Sequence, residues 1–335
     1  MKDERSNAET VSVCLPTYNQ AVYLSGAIQS ILAQVHPVDE IIVSDDASTD
    51  DTPALCERLA REIPVLRYHR QKRNLGIEEN VDFVLRQATS MYVVRLDSDD
   101  QLLPGYVGRL VEAMRNAPRA AYAHGDVWEI DDKGRRVRLR TLHRASGFQT
   151  ARDALFTSLR GYRVAANILL FRHSALAQVD YTKGRGDFAE DYHLSVALAR
   201  AGYGNVYVPE LLAEYRTWVD LRGVRTQRKE QELQGLIRVF DEQVEPGFRE
   251  AGMSYEPIQK ARQKYALRYV TALDDGHHAF EEKARLESLL IKLGDSCSLR
   301  LLIRLSHWRL GFLWRGWWRL VDGARGVVKR CLRSG

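Results

Sequence analysis

The chain has 335 residues, 45% hydrophobic and 28% charged, with a formal net charge of +5. That is enough apolar material for one large domain or two moderate ones, and it excludes a chain disordered throughout. Four scattered cysteines, Cys14, Cys56, Cys297 and Cys331, have no metal-ligand spacing and are too few for a disulfide framework, so they read as reduced thiols. The polar N-terminus lacks the apolar stretch of a secretory signal, and no run of about 18 apolar residues predicts a membrane span.

"VSVCLP" (Val11 to Pro16) is short, valine-rich and stopped by a proline, which predicts a buried strand. Leu24, Ile28, Ile31 and Leu32 then recur at helical spacing. "EIIVSDD" (Glu40 to Asp46) predicts a second strand. A helix follows from Thr52 to Arg61, with Asp50 or Asp51 as its cap and Pro53 in its first turn. Val65 to Arg70 reads as a strand, Gly76 to Ala88 as a helix and Tyr92 to Asp97 as a strand. Strand–helix alternation with short loops predicts a parallel sheet covered on both faces, with ligands beyond the carboxyl ends of the strands. Those ends carry "PTYN", "SDDAST" and "DSDD". Downstream, Ala120 to Ile130 predicts a strand, Asp131 to Gly134 a turn, Ala166 to Phe171 a strand, Glu190 to Gly202 a helix and "NVYVP" a strand; Lys229 to Leu293 is helical in pattern.

The stretch "VVRLDSDD" ends in Asp97, Asp99 and Asp100. Crowded carboxylates raise one another's pKa unless a cation answers them. Hard oxygen ligands suit Mg²⁺ or Mn²⁺, which bind through one or two carboxylates plus substrate phosphates. A solvated turn or a helix cap is the plain alternative, and the four residues by themselves do not decide between them.

Five segments in order widen the context: "VSVCLPTYNQAVYLSGAIQSILAQ", "DEIIVSDDASTDDT", "NLGIEENVDFVLRQA", "YVVRLDSDDQLLPGY" and "FAEDYHLSVALARAG". Together they resemble the family 2 glycosyltransferases, over about Val11 to Tyr215. The resemblance implies a GT-A-type, Rossmann-like, mostly parallel sheet flanked by helices and followed by a helical C-terminal region. It implies an inverting, metal-dependent transfer from a nucleotide-sugar, UDP-linked donor. By that likeness Pro16 and Tyr18 border the nucleotide base, and Asp46 accepts from uracil N3–H while Asp45 holds the loop. Asp99 is the leading ligand for Mn²⁺ or Mg²⁺; Asp97 contacts ribose or metal, and Asp100 shares either task. Asp191 is the catalytic base, with Glu190 beside it; Arg73, Asn74 and Arg216 approach the donor. The sequence departs from the family at "YRTW", where Trp218 replaces the usual histidine. The rival readings are a nucleotidyltransferase that releases pyrophosphate and a non-catalytic sugar-nucleotide or glycan binder.

The C-terminus carries the basic excess: Arg300, Arg304, Arg309, Arg315, Arg319, Arg325, Lys329, Arg330 and Arg333 against Asp322. On a helical wheel Leu302, Leu310, Leu313, Trp317, Leu320, Val321 and Val328 gather on one side and Arg300, Arg304, Arg315, Arg319, Arg325 and Lys329 on the other, a pattern suited to a bilayer interface and poorly suited to nucleic acid; a helix packed on the catalytic domain is the plain alternative. The expected organisation is therefore a catalytic domain over residues 1–220, a helical region over 221–295 and a membrane-associating tail over 296–335. The expected location is cytoplasmic, peripheral on the cytosolic face of the inner membrane, and the expected acceptor is a glycan or polyprenol-linked glycan.

Overall fold

Strand β1 (Val11–Thr17) is buried along its whole length, as a strand covered on both faces must be. The computed structural model that shows this describes residues 9–142, 144–160, 168–183, 189–217, 228–274 and 278–307. Two further strands with near-continuous burial flank it: β2 (Glu40–Asp45) and β4 (Tyr92–Leu96). With the outer β3 (Leu66–Arg70) they form the parallel order β3-β2-β1-β4.

The second half of the sheet is mixed. Strand β9 (Ile168–Arg172) lies antiparallel to both β4 and β6 (Ala120–Ile130), and β6 runs parallel to the long β10 (Gly204–Arg216). Three short strands join antiparallel: β5 (Gln101–Leu102) and β8 (Gly147–Gln149) on β10, and β7 (Arg136–Arg140) on β6. Strand β9 reverses direction between two strands that share one, so β1, β2, β4, β6 and β10 all point their carboxyl ends to the same edge. The site sits at that edge.

Helices cover both faces. On one, Leu24, Ala27, Ile28 and Ile31 of α1 (Ala21–Leu32) pack with Tyr106, Val107, Leu110, Val111 and Met114 of α4 (Tyr106–Arg115) against Val13, Leu15, Ile41 and Val94. On the other, Val81, Val84 and Leu85 of α3 (Ile77–Arg86) and Leu194 and Leu198 of α7 (Glu190–Arg200) cover Cys14, Ile42, Val93 and Phe171. Burial of apolar stripes of this kind contributes about 25 cal/mol per Å² removed from water. Helix α2 (Thr52–Glu62) carries its proline in the first turn, as its sequence predicts. The short α5 (Ala151–Ser158) is capped by Thr150, whose hydroxyl accepts from the Asp153 amide, and α6 (His173–Gln178) follows β9 directly.

The chain divides into two compact units, Met1–Val219 with Pro246–Ala251, and Asp220–Glu245 with Gly252–Gly335. The helices from Lys229 onward are α8 (Lys229–Val239), α9 (Glu245–Glu250), α10 (Glu256–Tyr269), α11 (Phe280–Gly294) and α12 (Cys297–His307). Inside the second unit the Arg262 Nη1 bonds Asp241 at 2.7 Å and Glu245 at 2.6 Å, and Leu286, Leu290, Leu293 and Leu299 are buried. Leu302, the first residue of the apolar tail face, is buried there as well. The remaining tail residues, 308–335, and Trp218 lie outside the described residues.

Gly204 opens β10 where β8 crosses closely. A Cβ there would lie 2.0 Å from the Gln149 carbonyl oxygen and 2.5 Å from the Phe148 ring. Backbone cannot yield as a side-chain tip does, so Gly204→Ala is expected to cost about 1–3 kcal/mol. Thermal denaturation should show a melting temperature several degrees below wild type, and an unchanged value would refute the close approach.

Candidate active site

The first two strand-end loops are laced together by side chains bonding to backbone. Asn19 sits at φ 53°, the left-handed region that asparagine tolerates. Its Oδ1 accepts from the amides of Thr49 (2.8 Å) and Asp50 (3.3 Å), and its own amide donates to Ser48 Oγ at 2.9 Å. Pro16 is buried within β1, opposite Ser44, and Tyr18 projects just beyond it, 47% exposed.

Asp45 and Asp46 are both buried, and both hold backbone. The Asp45 carboxylate accepts from the Ser48 amide and the Tyr68 hydroxyl, each at 2.8 Å. The Asp46 carboxylate accepts from the amides of Leu75 (2.6 Å) and Gly76 (2.9 Å), while Asn74 Nδ2 donates to the Asp46 carbonyl at 3.2 Å. Asp46 thereby fixes the turn that starts α3, and Arg73 stands exposed on that turn. Each Asp46 oxygen has a second lone pair beyond the one its amide uses.

The third loop separates its acids. The Asp100 amide donates to the Asp97 carbonyl at 3.1 Å, which closes a tight turn. The Asp100 carboxylate turns inward, where its Oδ1 accepts from the Arg216 amide at 2.7 Å. Arg216 is buried too. Its Nε donates to the Asp99 carbonyl at 3.0 Å, its Nη1 to the carbonyls of Asp131 (2.5 Å) and Asp132 (3.2 Å), and its guanidinium lies 4.4 Å over the Tyr23 ring. In this structure Asp100 and Arg216 brace the loop, whereas Asp97 and Asp99 stand partly exposed on it.

The acid cluster faces an arginine that the sequence reading passed over. Arg95 lies inside β4, opposite Cys14 of β1 and Leu169 of β9, with its side chain 6% exposed. Its Nη1 donates to Asp191 Oδ1 at 2.7 Å and to Glu190 Oε1 at 3.4 Å; its Nε reaches Asp97 Oδ1 at 3.4 Å. Burial works against the guanidinium's charge, but the carboxylates of Asp191, Asp97 and Glu190 outweigh it and push its pKa upward. A signal was present in "YVVRLD": a charge inside a continuous buried strand must be paired. Glu190 and Asp191 open α7, where the helix dipole favours acids. Burial pushes the Glu190 carboxyl up to about 8, with the Asp191 charge adding to the shift. Among the described residues Glu190 Oε2 has no hydrogen-bond partner.

The structure therefore brings Asp97, Glu190 and Asp191 together around Arg95. Pro16 lies near the carboxyl end of β1, and Tyr18, Asp46, Arg73 and Asp99 lie on loops at the same edge. No group of three or more His, Cys, Asp or Glu side chains able to hold a metal occurs among the described residues. The partly exposed Asp97 and Asp99 offer hard oxygens, and that donor set fits Mg²⁺ or Mn²⁺ when substrate phosphates complete the shell.

Residues 12–177 match the sequence model of glycosyl transferase family 2. The chain belongs to this family. A Campylobacter jejuni relative, GalNAc(5)-diNAcBac-PP-undecaprenol beta-1,3-glucosyltransferase, is 37% identical over 115 residues, which is 34% of this chain and 36% of the relative. Chondroitin synthase from Escherichia coli is 32% identical over 124 residues, 37% of this chain and 18% of that protein. The matched region thus spans about a third or less of these relatives' lengths. Two solved structures share the fold over most of the chain. S. aureus TarS 1-349 in complex with UDP-GlcNAc gives a TM-score of 0.54 at 17% identity, covering 90% of this chain and 88% of its own. Mannosyltransferase PcManGT from Pyrobaculum calidifontis, in complex with GDP-Man and Mn2+, gives 0.54 at 19% identity, covering 94% and 88%. The architecture is GT-A.

The Glu190 environment has a pH signature. Between the ordinary glutamate value of 4.5 and about 8 the unfolded chain releases a proton that the folded chain keeps, so stability falls as pH rises across that window. Glu190→Gln removes the dependence. Its melting temperature should exceed that of wild type at about pH 8.5, and the gain should vanish at about pH 4, where both side chains are neutral. A pH-independent difference would show that Glu190 titrates normally.

Proposed function

We propose that this chain is an inverting, metal-dependent glycosyltransferase that moves a sugar from a nucleotide-sugar donor, UDP-linked, to a hydroxyl of a glycan or lipid-linked glycan during surface polysaccharide assembly. One observation carries the reading: Asp191, on α7, and the donor-loop acid Asp97 contact the same buried guanidinium at the carboxyl edge of one GT-A sheet.

Asp191 is the base. It takes the proton of the acceptor hydroxyl as that oxygen attacks the anomeric carbon. The bond from that carbon to the diphosphate oxygen breaks, its electron pair leaves with UDP, and the anomeric configuration inverts. Its side chain is 29% exposed, so it is open to an incoming alcohol, whereas Glu190 at 7% is not. General-base catalysis of this kind contributes about 10²–10⁴-fold. Pro16 and Tyr18 border the nucleotide base, Asp46 accepts from the uracil N3–H through a lone pair that its amide bonds leave over, Arg73 approaches the donor from the adjoining turn, and Glu190 lines the donor side. Arg216 serves donor binding through the Asp99–Asp100 loop that it braces. Asp97 and Asp99 would hold Mn²⁺ or Mg²⁺, which neutralises charge developing on the leaving diphosphate. Asp100 supports this pair from beneath.

The test is UDP release from a panel of UDP-sugars with Mn²⁺ present, first with water as acceptor. Wild type should turn over at least one donor, and Asp191→Asn should lose about 10²-fold or more in kcat while still binding UDP. Pyrophosphate released from a nucleoside triphosphate would indicate nucleotidyl transfer instead, and binding without turnover would indicate a sugar-nucleotide binder.

The location is peripheral on the cytosolic face of a membrane. No helix among the described residues is long and apolar enough to cross one. The support is the wheel pattern beyond His307, with Leu310, Leu313, Trp317, Leu320, Val321 and Val328 on one side and Arg315, Arg319, Arg325 and Lys329 on the other, together with the lipid-linked substrate in the C. jejuni relative's name. Truncation after His307 leaves α12 with its buried Leu299, Leu302 and Ile303 intact. The truncated chain should move from the membrane pellet to the soluble fraction; unchanged partitioning would sink the tail assignment.

A further inference from the structure

We propose that Arg95 is a positioning residue: it selects Asp191, over the adjacent Glu190, as the base and sets where that base stands relative to the donor loop. This rests on the glycosyl-transfer reading above.

The geometry is asymmetric. One guanidinium nitrogen meets Asp191 at 2.7 Å and Glu190 at 3.4 Å. The closer acid is the more exposed one. Two acids adjacent on a helix turn differ by about 100° in direction, so Arg95 draws one carboxylate to the site edge and leaves the other over the buried strand. A second contact, Nε to Asp97, runs to the donor loop. The same side chain therefore spans the two elements that must be in register for attack on the anomeric carbon. It is well suited to hold a distance. Strand β4 is paired on both sides, and a planar guanidinium offers donors in a fixed fork. Lysine in its place would keep the charge and lose the span. Asp191 is also held from behind, where Ser195 Oγ donates to its carbonyl at 2.7 Å, but that bond fixes backbone and leaves the carboxylate direction to Arg95.

A buried ion pair that merely supports folding would show the same contacts, so the test must separate the two. The full chain is compared as wild type, Arg95→Lys, Arg95→Met, Asp191→Asn and the Arg95→Met/Asp191→Asn double variant. The reaction is Mn²⁺-supported UDP release from the UDP-sugar that wild type hydrolyses fastest. Calorimetric UDP affinity and melting temperature are measured alongside. Misplacing a reacting group by about 1 Å costs about 10²-fold. Arg95→Met should therefore lose ~10²-fold in kcat with donor KM and UDP affinity within about threefold of wild type. Arg95→Lys should recover part of that loss. On the Asp191→Asn background, Arg95→Met should cost little more, because it acts through a group already removed.

Full additivity in the double variant overturns the proposal, as does a loss falling on KM and UDP affinity instead of kcat. If Arg95→Met does not fold, Arg95→Lys decides alone: about tenfold lower kcat at normal UDP affinity supports positioning, and wild-type kcat refutes it. A wild type silent on every donor sinks the transfer reading and this assignment with it, whereas an active wild type matched by Arg95→Met sinks only this assignment.

Discussion

A guanidinium inside a central strand is the constraint around which this site is built. Removing a charge of that size from water costs several kcal/mol even after relaxation, and only well-placed opposite charges offset it. Arg95 has three carboxyl partners, one from its own strand end and two from the first turn of α7; Asp97 and Asp191 supply the charge, and Glu190, its carboxyl pushed up to about 8, adds little at neutral pH. The compensation runs both ways. Without the arginine, Asp97, Glu190 and Asp191 would confront one another with much reduced access to water. The pairing also ties α7 to β4 at one end, while Leu194 and Leu198 fasten the same helix through the hydrophobic core beneath it. The polar contact sets where the helix begins, and the apolar contacts set how it lies.

Around that centre, acidic side chains are sorted by what they hold. Asp45 and Asp46 bond backbone amides of their own and neighbouring loops, and Asp100 bonds the amide of Arg216. A carboxylate that accepts backbone N–H groups is committed to loop geometry, because leaving a buried amide unpaired costs about 1–3 kcal/mol. Loops crossing a sheet edge have no ladder to satisfy their amides, and these aspartates supply the missing acceptors. Rigidity at the edge thus comes from buried acids, and the more exposed residues, Tyr18, Asp97, Asp99 and Asp191, inherit it.

The first half of the fold was legible because parallel strands covered on both faces must be mostly apolar, and β1, β2 and β4 are so in sequence despite Ser12, Ser44 and Arg95. The second half was not. Strand β7 has no reading in the sequence, where it is the basic run "RRVRLR"; its arginines pair with Glu129 and Glu214, which come from other strands and leave no local trace. Helix α4 was passed over although its apolar residues recur at helical spacing. At the site, the types of residue were visible and their division of labour was not. Three aspartates in four residues look equivalent in one dimension. Which one turns toward the Arg216 amide depends on where β10 ends, more than a hundred residues later. Arg95 was overlooked for the opposite reason: it sits in a run so apolar that the strand reading absorbed it.

If the proposed donor binds here, the charges of the site favour a further cation beside it. Asp97, Asp99 and Asp191 contribute three formal negative charges. Glu190, with its carboxyl pushed up to about 8, adds little at neutral pH, and Arg95 returns one positive charge. The remaining excess of negative charge faces the place where a diphosphate would lie. At close range, like charges in a partly desolvated cleft repel by several kcal/mol at an effective dielectric constant of about 20. Arg95 does not relieve this, since its donors are turned to protein carboxylates, and Arg216 is wrapped in backbone carbonyls. The described cations of the site are thus engaged within the protein, and the exposed Arg73 belongs to a neighbouring turn. A divalent ion shared between Asp97, Asp99 and the phosphates would convert that repulsion into attraction, and the acids on the open side of the loop are the ones the fold leaves in position to share it.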